Sequence, residues 1–193
     1  MAKTTKKKTN KSSTAIGLKK KKAAPSKKGR EAKELANFKL GESHTDYPET
    51  YAPHVLEAFP NKNPSKEAWT SLLCTEFTSL CPKTNQPDFA RITINYIADK
   101  EMVESKSFKL YLFSFRNHGD FHEDCVQKIC DDLVALMKPK YIEVIGEFTP
   151  RGGIAIYPFA CASSKETRFQ NLLKKRQENY APGLYTMPFS RIY

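Results

Sequence analysis

The nine residues from Phe89 to Ile97, FARITINYI, alternate Ile92, Ile94 and Tyr96 with Arg91, Thr93 and Asn95. A period of two is that of a strand with one buried and one polar face. The run WTSLLCTEF, Trp69 to Phe77, supplies a plausible partner strand. Between Ser107 and Arg116 the chain is too continuously apolar for its period to decide, and its length without internal Gly or Pro predicts a buried helix.

A second helix is marked more sharply. Asp120 and Glu123 have capping-box spacing, Val126, Ile129, Cys130, Leu133 and Met137 form one apolar stripe, and Pro139 stops it. YIEVIGEF and IAIYPFA then flank the turn TPRGG, which predicts a hairpin over 141–160. Past Cys161 the sequence turns polar, with a short helix expected around Thr167 to Arg176.

The net charge of +11 suggests a nucleic-acid binder until its distribution is considered. Residues 1–38 hold 13 Lys and Arg against Glu31 and Glu34, and the remaining 155 residues carry 19 of each sign. A segment so rich in Lys, Ser, Thr and Ala cannot bury enough apolar surface to offset the entropy of ordering. Residues 1–38 are therefore expected to be a disordered basic tail, and 39–193 the folded domain. The tail is either a solvated end or a loose, salt-sensitive contact to RNA or another polyanion. No stretch approaches a membrane span, and no apolar segment follows the first lysines, so a cytoplasmic setting is expected. The five cysteines, at 74, 81, 125, 130 and 161, form no C-x-x-C pair and are read as reduced thiols, with no structural zinc and no metal expected.

Three stretches carry candidate chemistry. Cys81 lies between two strands, followed by Pro82 and turn formers, with Asp88 seven residues on. It is either a structural cysteine, the commoner fate, or a nucleophile. A nearby carboxylate raises a thiol's pKa, although it can donate a proton to whatever the thiol attacks. His118, His122 and Glu123 sit at a helix amino terminus, where backbone N–H groups favour negative charge, and Glu123 also has a bland role as a cap. Lys106 and Lys109 share a helix face and either grip phosphates or stand in solvent. No G-x-G-x-x-G occurs, so a dinucleotide is not held in Rossmann fashion.

Together these stretches resemble the NADPH-dependent nitrile reductases of queuosine biosynthesis, the 7-cyano-7-deazaguanine reductase (QueF) family. Four segments carry the resemblance: ESKSFKLY from Glu104 to Tyr111, FTSLCPKTNQPDF from Phe77 to Phe89, SFRNHGDFHEDC from Ser114 to Cys125, and FTPRGGIAIYP from Phe148 to Pro158. It extends over roughly residues 47–160 and leaves out the basic tail and the last thirty or so residues.

The resemblance implies an α+β tunnelling fold, an antiparallel sheet with two helices packed on one face, assembled as a homo-oligomer with sites between subunits. It implies that Cys81 attacks the nitrile carbon of 7-cyano-7-deazaguanine to form a thioimide, that Asp88 protonates the nitrogen, and that two hydrides from two NADPH give the primary amine. It further implies that Glu123 anchors the pyrimidine edge of the base, with His122, Val103, Glu104 and Ser105 completing the pocket, and that Lys106, Lys109 and Arg151 contact the NADPH phosphates. The chemistry is coherent, since thiolate addition converts a poor hydride acceptor into a reducible C=N. The donor role asks for a dry site around Asp88. Two neighbouring activities are alternatives: a zinc-dependent ring opening of the GTP cyclohydrolase kind, and ammonia transfer to a nitrile on tRNA. A non-enzymatic RNA binder acting through the tail is a third, and it leaves Cys81, Asp88 and Glu123 unexplained.

Overall fold

The computed structural model describes residues 45–180, so the expected basic tail over 1–38 lies outside the described residues. The chain runs β1 (Ala58–Pro60), β2 (Trp69–Leu80), β3 (Pro87–Ile97), β4 (Glu101–Val103), α1 (Ser105–Phe113), α2 (His122–Met137), β5 (Tyr141–Phe148), β6 (Phe159–Ser163) and α3 (Thr167–Glu178). A 3₁₀ turn, Ser114–Asn117, links the first two helices. The main sheet has the order β2-β3-β5-β6, antiparallel throughout, and β1 pairs with β4 apart from it.

The alternation in β3 decides the layering. Ile92, Ile94 and Tyr96 are buried on one face together with Phe77, Ile142, Val144 and Phe148. Against them lie Phe108, Tyr111 and Leu112 of α1 and the α2 stripe of Val126, Ile129, Cys130, Leu133 and Met137. Two helices thus cover one face of an antiparallel sheet, as expected. α2 passes close over Gly146, where a Cβ would stand 2.7 Å from Val126 Cγ2.

The opposite face is polar and partly covered. Ser71 donates to Asn95, Asn95 donates to Glu143, and Glu143 also accepts from Tyr141 and from Arg176 Nε at 2.9 Å. The short helix expected near Thr167 supplies that arginine, and it packs Phe169 against Ile97 and Tyr141. Glu143 and Arg176 are both nearly buried, so each compensates the other's desolvation.

Three expectations change in detail. The first helix begins at Ser105, two residues early, because the Glu104 carboxylate caps it by accepting from Lys106 N and Ser107 N. It ends at Phe113, and the remainder of the expected span forms the 3₁₀ turn. The capping box at Asp120 and Glu123 does not form. Phe121 occupies the cap position, and Asp120 is drawn instead to Lys128 and to His118 Nε2 at 3.2 Å. The strand expected from Ile154 starts only at Phe159. Pro158 accepts from Gly146 N but has no N–H to return, and Ile154 and Tyr157 are left exposed. No helix among the described residues is long and apolar enough to cross a membrane.

Candidate active site

Cys81 follows the last residue of β2 and opens the connection to β3. The connection curls back on itself: Asn85 N donates to Cys81 O and Cys81 N to Gln86 O, both at 2.9 Å. Asn85 takes a left-handed φ of 55° to close it, a conformation its short side chain tolerates. Leu80 is tied to the segment that enters α2, giving its N–H to His118 O and accepting from Asp120 N. The amino terminus of α2 is thereby pinned beside the end of β2.

Asp88, second residue of β3, is 4% exposed. Its Oδ1 lies 3.0 Å from His122 Nε2 and accepts from Arg151 Nη2. The His122 ring stacks on Phe148, with centroids 3.9 Å apart and planes 9° from parallel. Arg151 is brought in by a tight turn in which it exchanges both main-chain hydrogen bonds with Ile154. Gly152 and Gly153 sit between them at φ 57° and 83°, two successive positive values that glycine adopts without strain. Among the described residues, Asp88 Oδ2, His122 Nδ1 and Arg151 Nε are buried and have no hydrogen-bond partner.

The five thiols divide sharply. Burial pushes Cys125 and Cys130 up to about 12 and raises Cys74 and Cys161 as well. Cys81 is pulled down to about 6, first by hydrogen bonding from the Thr84 side chain, then by the Lys83 and Thr84 main chain and by Arg151. The sequence raised the concern that Asp88 would oppose ionisation of the thiol. In the folded chain the Arg151 guanidinium attends to both groups.

Glu123 stands exposed in the first turn of α2. Neither a cap nor an ion pair engages it among the described residues, so its carboxylate is open to a ligand. His118 and His122 go to different carboxylates, Asp120 and Asp88. No group of three His, Cys, Asp or Glu side chains that could hold a metal occurs among the described residues.

The remaining expected site residues lie elsewhere on the chain. Asp88 and Tyr96 are eight residues apart along β3, about 25 Å of extended strand, and the Tyr96 hydroxyl reaches the Val103 main chain. Val103 is buried at the end of β4, and the Glu104 carboxylate is occupied by Lys106 N, Ser107 N and the Ser105 hydroxyl. A cleft of about 360 Å³ runs between α1 and the bulge of β2 at Cys74 and Phe77, and Ser105, Lys109 and Arg116 line it. Lys109 and Arg116 make no ion pair among the described residues. Arg116 rests 4.3 Å from the centre of the Phe113 ring. These cations fit an anionic, partly apolar ligand such as a dinucleotide. The group of Cys81, Asp88, His122 and Arg151 thus lies at one end of β3 and Val103 and Glu104 at the other, while the cleft that Lys109 lines runs back to Thr78, the register partner of Phe89.

Sequence reasoning missed Thr84, Phe148 and Arg116. Thr84 was legible only as a turn former, and what Phe148 and Arg116 touch depends on tertiary placement.

Comparison with known proteins gives a consistent result. A family profile described as "QueF-like protein" matches residues 87–167. A protein of Bdellovibrio bacteriovorus named NADPH-dependent 7-cyano-7-deazaguanine reductase is 76% identical over 167 residues, covering 86% of this chain and 98% of its own. One of the same name from Neisseria meningitidis serogroup B is 64% identical over 137 residues, covering 71% and 87% respectively. A solved chain titled "archaeosine synthase QueF-Like in the apo form" shares 19% identity over 51% of this chain and 97% of that one, with a TM-score of 0.48.

Proposed function

This chain belongs to the NADPH-dependent 7-cyano-7-deazaguanine reductases and reduces the nitrile of 7-cyano-7-deazaguanine to the aminomethyl group; we propose that it does so through a thioimide on Cys81. The observation that carries the proposal is the contrast among the thiols, in which Cys81 alone is held low, to about 6, and shares the Arg151 guanidinium with the buried Asp88 carboxyl.

In this reading the Cys81 thiolate adds to the nitrile carbon, forming a C–S bond as one C–N π bond opens. Asp88 delivers the proton that the nitrogen takes up. His122 and Arg151 hold the Asp88 carboxyl in place, and the stack on Phe148 keeps the His122 ring from turning. Each of two NADPH molecules, when bound, would supply one hydride to a C=N bond, and the nitrogen takes up a second proton, from solvent, as the imine is reduced to the amine. Between the two reductions the C–S bond breaks and Cys81 leaves as thiolate, ready for the next turnover. Glu123 receives the ring N–H and the exocyclic amine of the base, a paired contact that a carboxylate makes well.

Val103, Glu104 and Ser105 complete the base pocket from a neighbouring subunit, and Lys106 and Lys109 receive the cofactor phosphates. The length of β3 between Asp88 and Tyr96, whose hydroxyl reaches the Val103 main chain, supports this division for Val103 and Glu104. The assembly is a homo-oligomer, and 39–193 is its catalytic domain, with 1–38 as an appendage. The five free thiols suit a reducing, cytoplasmic setting.

The test is intact-protein mass spectrometry after adding the cyano base without NADPH. Wild type is expected to gain the mass of one base per chain, and Cys81→Ala none. An adduct that persists on the variant overturns the assignment.

A further inference from the structure

Two cations stand on one pair of aromatic rings beside the cleft between α1 and β2. The Tyr47 and Phe113 rings pack with centroids 4.7 Å apart. Lys109 Nζ lies over Tyr47, 5.8 Å from its centroid, and the Arg116 guanidinium lies over Phe113 at 4.3 Å. Local structure sets this up. Phe113 follows Lys109 by one turn of α1, and the 3₁₀ turn that opens at Ser114 brings Arg116 back over the same ring. Both cationic residues are exposed, and among the described residues neither makes an ion pair or a side-chain hydrogen bond. An aromatic face attracts a cation without offering it an oxygen lone pair, so the N–H donors of both remain to be used.

Solvation is the ordinary fate of an exposed arginine, and the cleft sets this one apart. Leu72, Phe77, Phe108 and Leu112 give the cleft an apolar lining, and Lys109 and Arg116 line it together with Glu76 from the β2 bulge. It thus carries two cations against one carboxylate. Glu76, Thr78 and Arg116 also border a neighbouring hollow, where Arg91 and Glu147 neutralise each other. The positive excess is therefore that of Lys109 and Arg116, and it favours an anion there.

NADPH differs from NADH by one group, the phosphate monoester on the 2′-oxygen of the adenosine ribose. Such a monoester carries a charge of about −1.5 to −2 at pH 7 and presents three terminal oxygens. A guanidinium fork takes two of them at once, whereas an ammonium acts as a point charge and suits any phosphate. Rossmann proteins use an arginine on the 2′-phosphate in the same way. We propose that Arg116 selects NADPH over NADH by gripping the 2′-phosphate, with Phe113 holding the guanidinium in place. The family resemblance implies Lys106, Lys109 and Arg151 as phosphate contacts, and Arg116 adds the discriminating one. The inference rests on the reading that the cleft at Lys109 receives the cofactor.

The experiment is isothermal titration calorimetry on the full chain with two ligand pairs that differ only in this phosphate. One pair is NADP⁺ and NAD⁺, the other adenosine 2′,5′-bisphosphate and adenosine 5′-monophosphate. Arg116→Met keeps an apolar side chain on Phe113. In this variant the preference for the 2′-phosphorylated member of each pair is expected to fall about tenfold or more, the worth of a hydrogen bond to a charged group. Its affinity for NAD⁺ should stay within about twofold of wild type, as for an exposed substitution that leaves the fold intact. Arg116→Lys recovers part of the lost preference. Lys109→Met is expected to weaken NADP⁺, which tests the cleft separately. Equal losses for both members of a pair in Arg116→Met overturn the proposal, because the arginine then serves the part the ligands share. No loss in Arg116→Met beside a loss in Lys109→Met also overturns it and leaves the cofactor in the cleft. No loss in either variant overturns the reading of the cleft, and this inference with it.

Discussion

His122 Nε2 lies 3.0 Å from Asp88 Oδ1, although the two residues come from different elements and stand 34 positions apart. The same oxygen accepts from Arg151, so three segments of the chain converge on one carboxylate. In the proposed mechanism, such convergence fixes where a proton is handed over.

Asp88→Asn keeps the size and the contact with His122 but removes the transferable proton. Binding of the cyano base is expected to survive while reduction falls by about 10²-fold or more, the scale of a positioned acid. Single-turnover runs that follow adduct formation and NADPH oxidation separately would check this. Near-wild-type rates for both steps would reduce Asp88 to a residue that orders the loop.

If the catalytic group and the ESK segment meet across subunits, two inactive variants should rescue each other. Cys81→Ala mixed with Lys106→Met/Lys109→Met, dissociated and reassembled together, is expected to regain activity at about a quarter of the sites for random pairing of copies. Absence of any recovery in particles shown to be mixed would place both halves of a site within one chain.

The Glu143–Arg176 pair makes a prediction about stability. Arg176→Met leaves a nearly buried carboxylate without its guanidinium. Removing one partner of such a pair costs about 3–5 kcal/mol, which denaturant melts would detect as a fall in midpoint. Because α3 lies on the face away from α1 and α2, turnover per folded molecule should change little. A variant as stable as wild type would show that Tyr141 and Asn95 suffice to satisfy Glu143.

Removing residues 1–38 takes away the whole net charge but none of the segments that carry the family resemblance. Turnover of the free base by the shortened chain is expected to stay within about twofold of wild type, in keeping with a solvated like-charge end. Steady-state assays of both chains would decide, and a large loss would tie the tail to assembly or to the site.

The strands and helices were legible wherever periodicity was strong. Ile92, Ile94 and Tyr96 fixed the buried face of β3, and the stripe from Val126 to Met137 fixed α2. Helix ends were less so, because capping residues have competing partners. Asp120 turned to Lys128 and His118, and Glu104 became a cap, which only tertiary placement could decide. Cys81 and Asp88 stood out through motif resemblance, whereas residue types alone left the thiol ambiguous. Its acidity comes from Thr84 in the loop and from Arg151, 70 residues further along the chain. The separation of the two groups of site residues was not visible as spacing. It emerges once β3 is laid out at full length.

Asp88 Oδ2, His122 Nδ1 and Arg151 Nε are buried with no protein partner among the described residues, and a buried polar atom left unsatisfied costs about 1–3 kcal/mol. On the proposed mechanism, a variant library ranked only by melting temperature would drift toward apolar replacements at these positions and lose activity while improving the scaffold. Thermostability engineering of this chain has to treat the three side chains as untouchable and look for its gains on the α3 side of the sheet.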